Sequence, residues 1–378
     1  MSQVKHTSHE PLLRLAKRDG ISRPKAYAIR IVAVLLSLIV SGIFIFSVTK
    51  LNPIAVYEAI FDGAFGTPRR SWVTIRDTMM LLCIAIGLAP AFKMKFWNIG
   101  AEGQVLVGGV VTAGLMRAFG GTIPTPVLLL IMAAVSLLAG CVWGIIPATF
   151  KAKWGTNETL FTLMMNYVAI QITSYCVALW ENPLGSNTVG VINQKTKAGW
   201  FPELFGQDYG LNLVLVLALT VGMYVYLKYS KQGYEISVVG DSENTARYAG
   251  ISVKKVTIRT MAISGAICGL AGFIAVAGSS HTISTSTAGG RGFTAIIVAW
   301  LAKFNTFVMI LIAFLLVFLE KGSIQIASQF NLNDYASKII TGIILFFILG
   351  SEFFINYKLI FRSKSDKNAV KGGADDAE

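Results

Sequence analysis

Acidic and amide side chains stand at the starts of two long apolar runs in this sequence. The two stretches are 96–104, FWNIGAEGQ, and 151–167, KAKWGTNETLFTLMMNY. They contain the amides Asn98, Gln104, Asn157 and Asn166 and the acids Glu102 and Glu158. An amide side chain both donates and accepts hydrogen bonds, which suits a hydroxylated, uncharged solute. We therefore predict that the four amides line a path for such a solute and that the two acids have gating or structural roles.

The sequence leaves the partners of the two acids open. Ionisable groups within a bilayer are costly, so they face an interior cavity or pair with each other. One arrangement pairs Glu102 with Lys93 or Lys95 near the inner surface. Another turns Glu102 inward, towards Asn157 and Glu158. In a third, both acids simply lie at the interface beside nearby lysines and take no part in transport.

The stretch 279–291, SSHTISTSTAGGR, adds a row of hydroxyls and ends at Arg291, a third polar group with a predicted gating or structural role. No catalytic set accompanies it. Two of the three histidines, His6 and His9, lie in the N-terminal segment, which argues against a histidine-based triad or metal centre. The sequence contains no G-x-x-x-x-G-K-[ST] phosphate loop, and its four cysteines stand singly within apolar runs. We predict no catalytic residue, no metal and no cofactor on this chain.

Composition identifies lipid as the solvent for most of the chain. The 378 residues are 54% hydrophobic and 14% charged, with a mean hydropathy of +0.62. Ordinary soluble domains carry roughly 25% charged residues. The net charge of +13 does not indicate a nucleic-acid partner, because the basic residues cluster at the ends of apolar runs.

Ten apolar runs are candidates for membrane-spanning helices, which need about 20 residues. We predict an all-α polytopic membrane protein with segments near 31–49, 73–92, 98–118, 125–150, 157–180, 211–227, 257–278, 292–304, 306–327 and 336–356. The run at 292–304 is too short to cross alone, which indicates a tilted or broken helix shielded by its neighbours.

The basic residues predict the orientation. If the N-terminus is cytoplasmic and every segment crosses, most of the 33 lysines and arginines fall on the inner side, so both termini are expected in the cytoplasm. The predicted domains are a basic N-terminal segment (1–30), a transmembrane domain (31–357) and a disordered cytoplasmic tail (358–378). Within the membrane domain, 181–210 is an outer loop and 228–256 is an inner one.

Two glycine-rich polar stretches occur at corresponding places. NIGAEGQ opens the third segment, and STAGGRGF, residues 286–293, opens the eighth. A separation of five spans predicts two inverted five-helix repeats. Interrupted helices at matching positions of inverted halves indicate a transport site.

The inner loop contains a short helix with defined ends. In VVGDSENTARYAGISVKK, residues 238–255, either Asp241 or Ser242 is the predicted N-cap and Gly250 the stop signal. Ala246 and Ala249 give the helix a small-residue side. We interpret it as a helix that fits a groove on a partner protein; the alternative is an ordinary loop helix.

Five motifs occur in an order that resembles a known family: WNIGAEGQ, GTNETLFTLMMNY, GDSENTARYAGI, SGAICGLAGF and GGRGFTAIIVAWL. The chain resembles the membrane subunits of bacterial ABC importers of the ribose, simple-sugar and nucleoside class, and among them the longer nucleoside permease subunit. The resemblance covers residues 73–350. One departure lies in the inner loop, where Thr245 stands in place of the first of two alanines before Arg247.

The resemblance implies a set of partners. They are a cytoplasmic ABC ATPase that binds ATP and Mg²⁺, a second permease subunit that forms a heterodimer, an extracytoplasmic substrate-binding protein and the lipid bilayer. By analogy, the inner loop is the coupling helix seated on the ATPase. The coupling residues that it implies are Gly240, Asp241, Asn244, Ala246, Arg247, Ala249 and Gly250.

The predicted function is therefore that of a non-enzymatic permease subunit in the cell membrane, translocating nucleosides or related simple sugars with energy from the partner ATPase. The alternative is an ion-coupled secondary transporter of small polar solutes. It would use Glu102 and Glu158 for the coupling ion but leaves the inner helix unexplained. A membrane-embedded enzyme is disfavoured because no nucleophile–base or metal set is present.

Overall fold

Helices dominate a computed structural model that describes residues 13–17, 22–204 and 206–361. In chain order the elements are β1 (Leu13–Lys17), α1 (Arg23–Phe44), α2 (Pro53–Phe65), α3 (Pro68–Lys93), α4 (Ala101–Phe119), α5 (Thr125–Trp154), α6 (Glu158–Trp180), α7 (Gly210–Tyr229), α8 (Lys231–Asp241), α9 (Glu243–Tyr248), α10 (Val253–Ala275), α11 (Arg291–Leu301), α12 (Thr306–Gln329), α13 (Asp334–Asn356) and β2 (Tyr357–Phe361). Short π-helical turns extend α1 to Thr49 and α10 to Ser280.

Eight helices among the described residues are long and apolar enough to cross a membrane. The all-α polytopic class is thereby confirmed, and two of the ten predicted segments are not among the eight. One is α4, which carries Glu102 in its first turn and Arg117 in its last. The other is α11, whose 11 residues extend about 16 Å, roughly half the apolar thickness of a bilayer. The expectation that this run cannot cross alone is confirmed.

The described residues form two compact units, where the sequence predicted one transmembrane domain over 31–357. The smaller unit comprises the described residues up to Phe61 together with those from Gly322 onward. In it, α1 packs against α13, and β1 pairs antiparallel with β2 in the register Leu13 to Phe361. The pairing puts the two ends of the described chain side by side.

The β1–β2 pair corrects the prediction for both terminal segments. The basic segment 1–30 contains β1 and the start of α1, and the tail predicted as disordered over 358–378 begins inside β2. The pairing was not predictable, because a two-stranded ladder depends on a partner more than 300 residues away rather than on local pattern. Residues 362–378 lie outside the described part of the chain.

The larger unit, Asp62–Lys321, is built around α10. This helix packs on α3, α4 and α5. Its contact with α5 is close enough to need glycine: a Cβ at Gly265 would lie 2.2 Å from the Gly140 carbonyl oxygen, and one at Gly140 would lie 2.2 Å from the Gly265 oxygen. Small residues at helix contacts let backbones approach in this way within membranes. The inner loop predicted over 228–256 contains two helices, α8 and α9, rather than one.

We predict that Gly265→Ala lowers the stability of the larger unit, because the new methyl group overlaps the α5 backbone, and overpacking costs about 1–3 kcal/mol. The measurement is the thermal unfolding midpoint of the purified chain in detergent. Gly222→Ala on α7 is the matched control, since a Cβ there meets nothing within 4 Å. An equal midpoint for the two variants would contradict the close α5–α10 contact.

Candidate functional site

The Glu102 carboxylate joins two helices that are distant in sequence. It is buried, and its two oxygens accept hydrogen bonds from the backbone N–H groups of Gly290, at 2.7 Å, and Gly292, at 2.8 Å. These groups begin α11, and the N-cap residue Gly290 has no side chain to cap the helix. A side chain of α4 therefore satisfies two of the donors that every helix leaves free at its N-terminus.

Helix dipoles explain why this carboxylate needs no lysine. Glu102 lies in the first turn of α4 and at the N-terminus of α11, and both helix ends carry partial positive charge. The predicted pairings with Lys93 or Lys95, and with Asn157 and Glu158, are wrong for this reason. The backbones of α4 and α11 approach closely at this point, since a Cβ at Gly292 would lie 2.6 Å from the Glu102 nitrogen.

The amides Asn98 and Gln104 are fully packed rather than placed on an open path. The Asn98 Nδ2 group donates to Ser264 Oγ of α10 at 3.2 Å, and Asn98 Oδ1 accepts from the Gly100 N–H at 3.0 Å. The Gln104 amide exchanges hydrogen bonds of 3.4 Å with Asn98 in both directions. Both groups join the start of α4 to α10, and their place on the substrate path stays a prediction.

Asn166 of α6 holds the same region from the other side. Its Oδ1 accepts from the Gly103 N–H at 2.8 Å, and its Nδ2 donates to the Ile99 carbonyl at 2.9 Å. One turn earlier, Thr162 Oγ1 accepts from the Ile99 N–H at 3.2 Å. These hydrogen bonds anchor the first turn of α4; the place of Asn166 on the substrate path stays a prediction.

Asn157 and Glu158 lie at the start of α6 and have different roles. Asn157 is exposed and caps its own helix, accepting from the Leu160 N–H at 3.2 Å. Glu158 pairs with Lys151 Nζ at 2.8 Å. Glu158 therefore has a lysine partner close in sequence, and Asn157 is a helix cap whose place on the substrate path stays a prediction.

A second buried acid, Asp77 of α3, holds the first residue of α11. Arg291 Nη2 lies 3.4 Å from Asp77 Oδ1, Arg76 Nη2 lies 2.9 Å from it, and Lys321 pairs with the other oxygen. Glu102 and Asp77 thus fix the start of α11 on two helices. The structural role predicted for Arg291 is carried by this ion pair.

A polar cavity of about 250 Å³ opens beside that ion pair. Its lining includes Arg76, Asp77, Arg291, Ser279, Ser280, Thr282, Ser284, Ser286 and Thr287. Hydroxyls and guanidinium groups can bind the oxygens of a hydroxylated solute. The cavity lies where the extension of α10 ends and α11 begins, so it is the candidate solute site in the described part of the chain.

The predicted inner helix is present as α9, with the expected ends. Ser242, rather than Asp241, is the N-cap, and its side chain accepts from the Thr245 N–H at 3.3 Å. Asp241 is instead the last residue of α8. Gly250, with φ of 74°, supplies the predicted stop.

The outer face of α9 differs from the prediction. Ala246 is 0% exposed and packs within the chain, and Gly240 is buried against the end of α3, where a Cβ would lie 2.2 Å from the Lys93 carbonyl oxygen. These two residues are corrected from docking contacts to internal packing. The predicted coupling residues Asp241, Asn244, Arg247, Ala249 and Gly250 are exposed, as is Tyr248, which is exposed by 94%.

Comparison with known proteins decides the family. The family described as the permease component of the branched-chain amino acid transport system matches residues 73–349. The chain belongs to this permease family. No solved structure matches it.

The permease is similar to subunits of ABC transporters along most of its length. It is 30% identical to the glucose ABC transporter permease protein TsgB13 of Haloferax volcanii, over 92% of this chain and 93% of the relative. It is 30% identical to the guanosine ABC transporter permease protein NupP of Bacillus subtilis, over 88% and 95%. It is 27% identical to the nucleoside ABC transporter permease protein NupB of Lactococcus lactis, over 79% and 84%. The permease is accordingly a membrane subunit of an ABC importer.

The structure gives a role to three residues that were not singled out from the sequence, namely Asp77, Lys321 and Tyr248. Asp77 and Lys321 lie within predicted spans, and ionisable residues in apolar runs are a recognised signal of function. Tyr248 gave no such signal, because whether one side of a six-residue helix faces solvent depends on tertiary packing.

We predict that Glu102→Gln leaves the permease in the membrane but impairs transport. Glutamine keeps one acceptor oxygen and points an NH₂ group at the second N–H, and an unsatisfied buried donor costs about 1–3 kcal/mol. The measurement is solute uptake by the assembled transporter at equal permease abundance.

Glu181→Gln is the matched control for Glu102→Gln. Glu181 also binds two backbone N–H groups, those of Gly185 and Asn187, at 2.9 and 3.2 Å, but it does so in an exposed loop. Uptake by the Glu181 variant is expected to stay near the wild-type rate. Wild-type uptake by the Glu102 variant would contradict the role assigned to the hydrogen bonds between Glu102 and the start of α11.

Proposed function

We propose that the permease translocates nucleosides, or related simple sugars, across the cell membrane as part of an ATP-driven importer. The names of its relatives support this class of solute, because they contain the words guanosine, nucleoside and glucose. The polar cavity at Arg291 supports it as well. Its hydroxyl groups and guanidinium groups match the hydroxyls of a ribose or hexose ring.

The exposed face of α9 supports the proposal that an ATPase drives transport. Tyr248 extends almost wholly into solvent beside Arg247. Tyrosine and arginine are enriched among the residues that dominate binding at protein interfaces. In this proposal α9 seats on a cytoplasmic ABC ATPase, which holds ATP and Mg²⁺, and Asn244 and Ala249 complete the contact.

The route from α9 to the solute cavity runs along one helix. Four residues separate α9 from α10, and the extension of α10 ends at Ser280 in the lining of the cavity. The span is largely buried and packs on α3, α4 and α5. A displacement of α9 on ATP binding would therefore reach the cavity through a packed, continuous element, and switch the access of the solute.

The remaining partners are part of the same proposal. A second permease subunit forms a heterodimer with this one, and an extracytoplasmic binding protein delivers the solute. Two guanosine ABC transporter permease proteins of Bacillus subtilis, NupP and NupQ, are both similar to this chain, at 30% and 24% identity. The ends of the described chain lie together at β1 and β2, and the basic residues favour the cytoplasmic side for both.

The ion-coupled alternative finds no support in the site. It needs two intramembrane acids that act on one coupling ion. Glu102 instead binds backbone N–H groups of α11, and Glu158 pairs with Lys151. Each acid already has a structural partner.

We predict that Tyr248→Ala prevents the permease from driving uptake while leaving the fold intact. The side chain is exposed, so its loss removes a partner contact rather than core packing. The measurements are co-purification with the ABC ATPase of the assembled transporter and ATP-dependent uptake of labelled guanosine in proteoliposomes.

Tyr335→Ala is the matched control, because Tyr335 is also largely exposed, at 73%, and lies in the first turn of α13. Its co-purification and uptake should equal those of the wild type. Undiminished co-purification by the Tyr248 variant would contradict the docking role of α9. Uptake that an ionophore abolishes and ATP does not drive would instead support the secondary transporter.

A further inference from the structure

A large basic cavity lies beside α9, at the opposite end of α10 from the solute cavity. Its volume is about 650 Å³. It is formed by the turn after α3, the end of α5, α9 and the start of α10, and its cations are Lys95, Lys151, Lys153, Arg247 and Lys254.

The acids in this cavity neutralise only part of the charge. Glu158 pairs with Lys151 at 2.8 Å, and Glu243 pairs with Arg247 at 3.5 Å. The other three lysines have no acidic partner among the residues that the structure describes. A cavity that gathers three uncompensated ammonium groups is suited to an anion from outside the chain.

The start of α10 adds to the positive potential. Ser252, its N-cap residue, makes no side-chain capping hydrogen bond, and the first turn contains no acid. Ser252, Val253 and Lys254 all line the cavity. Free N–H groups at a helix N-terminus favour phosphate and other oxyanions.

The surroundings indicate that this anion belongs to a lipid. At the end of the α5 span, the Phe150 ring lies 5.0 Å from Trp154 and 4.8 Å from Phe161, measured between centroids. Trp154 is largely exposed, and the Lys153 ammonium lies 5.8 Å from its ring. Exposed aromatic rings and lysines at the end of a span are typical of the headgroup level of a membrane.

An apolar groove beside the cavity suits an acyl chain. It has a volume of about 460 Å³ and runs along α6, lined by Asn157, Leu160, Phe161, Met164, Met165 and Val168. Its first residue precedes Glu158, which lines the basic cavity. The groove covers eleven residue steps, or about 16 Å of helix. A free phosphate or an acidic peptide has no long apolar chain to place in this groove.

We propose that the cavity and the groove together form a binding site for an anionic phospholipid. The phosphate group lies among Lys95, Lys153 and Lys254 at the start of α10, and one acyl chain lies along α6. Because Arg247 also lines the cavity, the headgroup contacts α9 and stabilises its position. Only this last effect rests on the proposed function, since lipid binding does not require the ATPase.

The test is native mass spectrometry of the full-length permease in detergent, titrated with phosphatidylglycerol or with zwitterionic phosphatidylcholine. Phosphatidylglycerol should bind more tightly to the wild type. The triple variant Lys95→Gln, Lys153→Gln, Lys254→Gln should lose about a hundredfold of that affinity, since each lysine near a lipid surface contributes roughly a factor of five.

The matched control is the triple variant Lys231→Gln, Lys255→Gln, Lys358→Gln, which removes the same charge from exposed lysines outside the cavity. It should keep the wild-type preference for phosphatidylglycerol. An equal loss in both variants would overturn the proposal. It would also be overturned if inorganic phosphate displaced phosphatidylglycerol completely, or if only an acidic segment of the ATPase bound the cavity. Retained binding with failed ATPase docking would refute the proposed function alone.

Discussion

One buried carboxylate determines how the central part of this permease is arranged. Glu102 binds the first N–H groups of α11 from the first turn of α4, so two positive helix ends share one negative charge. The arrangement is favourable because each helix end would otherwise leave donors unsatisfied where lipid supplies no acceptor. α11 is too short to span a bilayer, and it keeps its place through this contact and through the ion pair of Arg291 with Asp77. The polar cavity opens beside those fixed residues.

The same unit connects its two ends through α10. Glycine contacts bring this helix against α5, and the Asn98 amide bonds it to the start of α4 through Ser264. The helix begins near the exposed α9, and its extension ends in the lining of the polar cavity. Tightly packed elements shift between discrete arrangements rather than deforming continuously. This geometry is suited to carrying a movement of α9 across the membrane.

Much of this architecture could be predicted, and the failures have identifiable causes. Apolar length predicted all eight helices that are long enough to cross a membrane, and the glycine-rich stretches NIGAEGQ and STAGGRGF supply the two sides of the contact between Glu102 and α11. Whether the halves are inverted repeats stays a prediction. The partner of Glu102 could not be predicted, because it lies 188 residues away while Lys93 and Lys95 are close in sequence. The burial of Ala246 could not be predicted, because a small residue suits internal packing as well as a partner groove.

The most direct test of the contact between Glu102 and α11 is backbone hydrogen–deuterium exchange in residues 288–296. The exchange is compared between the wild type and Glu102→Gln. The Gly290 and Gly292 N–H groups are hydrogen-bonded to the carboxylate, so their exchange should be slow in the wild type. In the variant it should accelerate by roughly a factor of five or more, the equivalent of about 1 kcal/mol, while peptides from α5 keep their protection. Identical exchange in this segment for the two proteins would contradict the central place of Glu102.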